Sequence, residues 1–293
     1  MINGLILLDK PRGISSNNAL KQVKKILSVK KAGIVGILDP LATGMLPIVI
    51  GEATKFSKYI ELFNKSYIVD CKLGYKSSTG DDEGIIEKDD RCIKDFNISE
   101  LKKNLNSFVG TQEQIPPMYS AIKIDGVRLY KLARQGIEVE RKSRAIKILS
   151  INFLNYSSNI LSFKIMCSKG TYIRTLVEDL GLKLNIFSYT QRLRRTKIGF
   201  FEKNQMTSLE KLKNSVNNNF DYLISMDSML AHMKLFTISD SDELKIRNGQ
   251  SIYHDSDVQD TEIRIQNNHK NLIGIGFIKN NYISPKRLVN FKQ

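Results

Sequence analysis

The chain has no tryptophan and only three cysteines, three histidines and six prolines among 293 residues. Cys71, Cys92 and Cys167 lie far apart and form no CxxC pair, which argues against a disulfide framework or a structural zinc site. His232, His254 and His269 all fall in the last quarter without ligand spacing, so no metal is expected and a histidine-dependent mechanism is not favoured. No GxxxxGKS/T phosphate loop, no GxGxxG after a strand and no GxSxG elbow is present, which sets aside the commonest nucleotide-binding and hydrolase patterns. The opening stretch MINGLILLDKPRG has a four-residue apolar run before Asp9 and Lys10. That is too short for a membrane span or a signal core, so a cytoplasmic protein with no membrane partner is expected.

Acidic residues are also few. Lys plus Arg number 45 against 30 Asp plus Glu, a net charge of +15. A field of that sign attracts polyanions, although a general richness in Lys, Ile and Asn contributes to it. Hydrophobic residues at 41% are ordinary for a folded protein, and the length suits one large domain with or without a small one.

Apolar LILL at 5–8 predicts a short buried strand, and Ser15 or Ser16 caps a helix through about Leu27. Residues 33–51 hold four glycines and two prolines, so loops linking short apolar pieces are expected there. Alternation of Tyr67, Val69, Cys71 and Leu73 predicts a half-buried strand, followed by a turn at SSTGDDEG. Six acids among residues 81–90 are expected to keep that loop away from any polyanion. An Asn97 cap with Glu100 in the capping-box position starts a helix to about Phe108, and a Thr207–Glu210 box starts another that ends in the Asn-rich run 214–219. Within 127–137 a short helix turns Arg128, Lys131 and Arg134 to one side, a face suited to phosphates. LSFKIMC at 161–167 alternates as a strand, and beyond Lys234 short strands and turns predict a small β-rich tail.

Asp39, ahead of Pro40 in a glycine-flanked loop, reads on its own as an Asx-turn. Arg174 reads as a surface cation at a helix start, Tyr67 as a strand aromatic, and Tyr172 and Leu193 as core residues.

GILDPLATGMLPIVIGEATKF at 36–56 nevertheless resembles the active-site segment of the TruB family of bacterial tRNA pseudouridine-55 synthases. LLDKPRGISSNNAL (7–20), IPPMYSAIKIDGVRLYKLARQGIEVERK (115–142), SKGTYIRTLVEDLG (168–181) and LRRTKIGFF (193–201) resemble four further blocks of that family in the same order. The resemblance implies an α+β pseudouridine-synthase fold with a mixed, mainly antiparallel central sheet flanked by helices and loops, and a small C-terminal PUA-type domain. It implies a catalytic domain at 1–235 with an RNA-gripping insert at about 91–135, and an RNA-binding domain at 236–293. It implies isomerisation of the T-loop uridine of tRNA with no external cofactor, by base flipping, and a monomer is expected. Asp39 matches the nucleophile, Arg174 its cationic partner, Tyr67 the ring that stacks on the base, and Tyr172 and Leu193 the walls around it. Lys10, Pro11 and Lys55 are expected to support the active-site loop. Lys123, Arg128, Lys131, Arg134, Arg192, Arg194 and Arg195 are expected on RNA phosphates. Where the family usually reads Gly-His-Thr-Gly, this chain has Gly33-Ile34-Val35-Gly36, which predicts weaker RNA binding or slower flipping rather than lost chemistry. A non-catalytic tRNA-binding chaperone is the alternative.

Overall fold

A computed structural model describes residues 2–90, 95–215 and 221–290. Cys92 and residues 216–219 of the Asn-rich run lie outside them. Eight strands form a mixed central sheet. Gly4–Lys10 pairs antiparallel with Thr43–Ile50, which meets Ser188–Ile198 in the sheet's parallel seam at Gly44 and Arg195. Ser188–Ile198, Lys65–Leu73, Ile160–Cys167, Arg144–Ser157 and Gly110–Gln114 continue antiparallel, and Ala32–Ile34 flanks Thr43–Ile50.

Gly4–Lys10 and Thr43–Ile50 are buried on both faces. Ile6, Leu8, Leu46 and Ile48 enter one apolar cluster, and Leu5, Leu7, Met45 and Val49 another. That double burial is why these segments read as apolar runs rather than as alternation. Thr43–Ile50 is longer than the loop-linked pieces expected from its breakers. Pro47 fits because its carbonyl accepts from Val35 N–H at 3.0 Å, just past the end of the Ala32–Ile34 strand, where the ladder asks little of its missing N–H. Gly44 has φ +94, and a Cβ there would lie 2.2 Å from the Arg195 carbonyl oxygen, so the parallel seam requires glycine.

Lys65–Leu73 shows the expected alternation: Tyr67, Val69, Cys71 and Leu73 are buried, and Ile68 stands exposed on the other face. Against the covered face lie Ser16–Ile26, capped by Ser15, and Ile173–Lys183, which buries Ile173, Leu176, Val177 and Leu180. Asn97 caps Ile98–Asn106 by accepting from Ser99 N–H at 2.8 Å. The later cap is one residue further on than the Thr207 box suggested. Ser208 accepts from Lys211 N–H, because Thr207 is buried and zips its backbone to Leu7 and Asp9.

A second, five-stranded sheet holds Leu235–Ile238, Ile252–Tyr253, Thr261–Asn267, Leu272–Lys279 and Tyr282–Leu288 around a core of mostly isoleucine. This is the C-terminal β-rich domain. It leans on the first through Leu272, Ile275 and Val289, packed with Phe56, Tyr59 and Ile60.

Candidate active site

The turn carrying Asp39 is closed by backbone, Ala42 N–H donating to the Asp39 carbonyl at 3.1 Å. Its side chain is therefore not spent on an Asx-turn. The carboxylate faces Arg174, with Oδ2 3.0 Å from Nε, and remains about a third exposed. It is thus surrounded by protein yet reachable from solvent.

Each flank of this turn is fixed by a buried polar group. The Ser16 hydroxyl donates to the Leu38 carbonyl at 2.7 Å and accepts from Leu38 N–H at 2.9 Å. Lys10, fully buried, donates to the carbonyls of Pro11, Ile14 and Pro40 at 2.8, 2.8 and 3.1 Å. Gly13 N–H reaches the same Pro40 carbonyl at 2.8 Å. Burial pulls the Lys10 ammonium down to about 8, while Glu83 and Asp39 partly restore it.

Arg174 is buried, not a surface cation. The Ile173–Lys183 helix presents it, and its guanidinium donates to the Thr79 carbonyl at 2.9 Å and the Tyr119 carbonyl at 2.6 Å. Its Nε also lies 3.7 Å from Asp81. Asp39 is raised above the ordinary carboxylate range, first by desolvation and further by Asp81, with Arg174 and then Lys10 opposing. The result is a carboxylate anchored by one guanidinium but more easily protonated, and less well solvated, than in water.

Tyr67 is buried in the sheet, its register partners being Ile165 and Arg195. Burial raises its hydroxyl, against the nearby Arg195. Tyr172 caps the Arg174 helix and exchanges backbone bonds with the Gln114 side chain at 2.8 and 3.0 Å. Burial raises its hydroxyl, with Arg174 among the groups opposing the rise and Asp39 adding to it. Leu193 is buried on the strand beside Val69. Pro11 is exposed, with its carbonyl held by Lys10.

Three expectations need correction. Lys55 does not reach the Asp39 turn: its ammonium donates to the Leu288 carbonyl at 2.9 Å and pairs with Glu52 at 2.6 Å, tying the second sheet to the first. Arg195 is no phosphate ligand either. It is 2% exposed and donates to the Met45 and Gly36 carbonyls at 2.7 Å each, because the parallel seam draws it inside. The acidic loop after Lys65–Leu73 is not held away from the site. Asp81 lies beside Arg174, and Glu83 is raised by burial, Asp81 and Asp39. Arg194 is half-committed, forking onto Asp9 at 2.9 and 2.7 Å. Lys123, Lys131, Arg134 and Arg192 are exposed and Arg128 partly so; Arg192 has only a loose 3.4 Å contact with Asp70.

Sequence reading missed Asp81, Thr79, Ser16 and Gln114. A Thr-Gly-Asp turn directly after a strand was the signal available for the first two. Gly80, at φ +75, would bring a Cβ to 2.8 Å from the Glu178 carboxylate, so the turn can lie against the Arg174 helix only with glycine there.

Ile34 packs half-buried against the main core, opposite Ile48. A crevice of about 850 Å³ between Ile2, Leu223, Met226 and Leu272 shares no residue with the Asp39 surroundings. Among the described residues, no His, Cys, Asp or Glu cluster could hold a metal ion, and no helix is long and apolar enough to cross a membrane.

Comparison with known proteins bears on this geometry. Residues 24–173 match the TruB family pseudouridylate synthase N-terminal domain, 174–233 the tRNA pseudouridylate synthase B C-terminal domain, and 236–289 the pseudouridine synthase II TruB C-terminal domain. A tRNA pseudouridine synthase B of Buchnera aphidicola subsp. Acyrthosiphon pisum is 43% identical, over 99% of this chain and 96% of that protein. One of Nitrosococcus oceani is also 43% identical, over 98% and 95%. Among solved structures, a chain of a Cbf5-Nop10-Gar1 complex superposes with a TM-score of 0.73 at 22% identity, covering 99% of this chain and 84% of that one. A chain of an H/ACA RNP bound to a substrate RNA containing 2′-deoxyuridine gives the same score at 20% identity, covering 97% and 84%. These two establish the fold.

Proposed function

The chain belongs to the TruB family of pseudouridylate synthases, and from that membership and the surroundings of Asp39 we propose that it isomerises the T-loop uridine of tRNA to pseudouridine. The observation that carries the chemistry is the Asp39 carboxylate, open to solvent and held 3.0 Å from the buried Arg174 guanidinium. A nucleophile adding to the sugar or to the uracil ring splits one hard step into easier ones. Asp39 suits either addition, because partial burial leaves its charge less well solvated and more reactive while Arg174 opposes the rise that burial imposes.

The target base is stacked in its loop and must be everted to reach this carboxylate. Unstacking costs a few kcal/mol, offset by stacking in the site and by hydrogen bonds to the base. Tyr67 is the stacking ring in this reading, and Tyr172 and Leu193 are the walls. Lys123, Arg128, Lys131, Arg134 and Arg192 hold phosphates of the folded arm, as shape-based recognition of structured RNA requires. The domain limits that go with this reading are 1–235, with an insert at about 91–135, and 236–293. The protein works as a monomer on cytoplasmic tRNA.

Rejoining uracil through C5 releases the C5 hydrogen, so a tRNA transcript tritiated there reports turnover. The expected result is tritium release by the parent protein and at least about a 10⁴-fold loss in Asp39→Asn, with tRNA binding retained. Release that survives Asp39→Asn would overturn the assignment.

A further inference from the structure

Two loops flank Asp39, and one ion pair joins them. On one side Gly13 N–H and Lys10 hold the Pro40 carbonyl. On the other, Asp81 lies against Arg174. Arg12 and Asp82, each the immediate neighbour of one of these groups, pair across the gap. Arg12 is exposed, by 51%, and Asp82 partly so, by 30%, so the pair contributes little to stability and can be exchanged at small cost. Asp82 is also engaged by the Tyr189 hydroxyl, so the acidic end has a second partner.

We propose that Arg12 is a phosphate-binding residue at the mouth of the site. Asp82 holds it ready in the free protein, and the phosphodiester beside the everted uridine takes the place of Asp82 when RNA binds. Arg12 meets Asp82 through one nitrogen only, and a planar guanidinium can offer a phosphate a forked pair of donors instead. A base that enters toward Asp39 must bring its own backbone to the rim where this pair stands. The inference rests on the RNA-modifying reading above.

The test measures tRNA binding and tritium release for the parent, Arg12→Gln, Arg12→Lys and Asp82→Asn over a range of salt. One released counterion changes binding by about 3.5-fold between about 50 and 200 mM salt. Arg12→Gln should therefore bind about tenfold more weakly at the lower salt but only about threefold at the higher, with a salt slope flatter by about one. The loss should fall on KM far more than on kcat, and Arg12→Lys should restore part of it. Asp82→Asn should bind more tightly at low salt, because the internal competitor is gone. An Arg12→Gln loss that is absent or equal at both salts, or an Asp82→Asn protein that binds no better, would sink the exchange while leaving the enzyme reading intact. A parent protein that neither binds nor turns over tRNA would sink both.

Discussion

The interior of the Asp39 site and the basic surface around it use the same side chains for opposite ends. Arg174 and Arg195 are sealed inside, and their guanidinium groups are spent on Asp39 and on backbone carbonyls. Arg192, three positions from Arg195 on one strand, is exposed, as are Lys131 and Arg134 on the short helix region. The difference shows that a cation's position relative to the sheet, not its sequence neighbours, decides whether it orders the protein or faces solvent. Inside, each positive charge answers a specific oxygen. Outside, Arg192, Lys131 and Arg134 act chiefly as contributors to a positive field.

The sharpest way to break that contrast is to remove an inner cation. Arg174→Gln should lower turnover by about 10²–10³-fold. It should also cost about 3–5 kcal/mol of stability, since it leaves Asp39 and Asp81 without their buried partner. Single-turnover tritium release and a denaturant titration measure the two effects. Arg195→Met should cost about 2–4 kcal/mol, because two buried carbonyls lose their donor. Its tRNA affinity should fall less than its stability, as seen by comparing melting with filter binding.

The pH profile probes the same interior. Asp39 must be ionised to attack and is raised above its ordinary 3.8, so the acid limb of the rate should lie above that value. Lys10, drawn down from 10.5 to about 8, should give an alkaline limb near pH 8 that Arg in its place removes. Between those two values the unfolded chain keeps a proton that the folded chain has released. Stability from this group therefore rises with pH across the window, and a Lys10→Met protein should lack that rise. Asp39→Asn should melt slightly higher than the parent at neutral pH, because the ionised carboxylate is less favourable in the fold than in water.

Outer cations should behave differently. Arg134→Gln should weaken tRNA binding only a few-fold and flatten the salt slope by about one, with stability unchanged to within about 0.5 kcal/mol. The smallest effect expected is at Ile34, where Ile34→His should improve tRNA affinity modestly. An affinity that stays the same would show that this half-buried position does not contact RNA.

Much of the scaffold was legible because its signals are local. Ser15 caps its helix, Tyr67 to Leu73 alternate, and the tail breaks into short strands. Asp39 and Arg174 were legible through motif resemblance rather than through physics, since nothing within either segment says that the two will lie 3.0 Å apart. Thr43–Ile50 was underread because Gly44 and Pro47 break strands in general; its pairing along Gly4–Lys10 explains its length, and the seam with Arg195 explains its glycine. Arg195 and Asp81 were misplaced for one reason: a charge is assigned to solvent by default, and the partners that let it be buried come from distant parts of the chain.

The strand Gly4–Lys10 has its outer backbone groups met by Thr207 and Ile224, far along the chain. During translation that edge must wait, unpaired, until the segment from Thr207 to Ile224 has also been made. Closure of so long a loop is slow relative to local helix formation. The sheet's outer strand is therefore completed late, by segments distant in sequence, and its closure is a step that local helix formation cannot hasten.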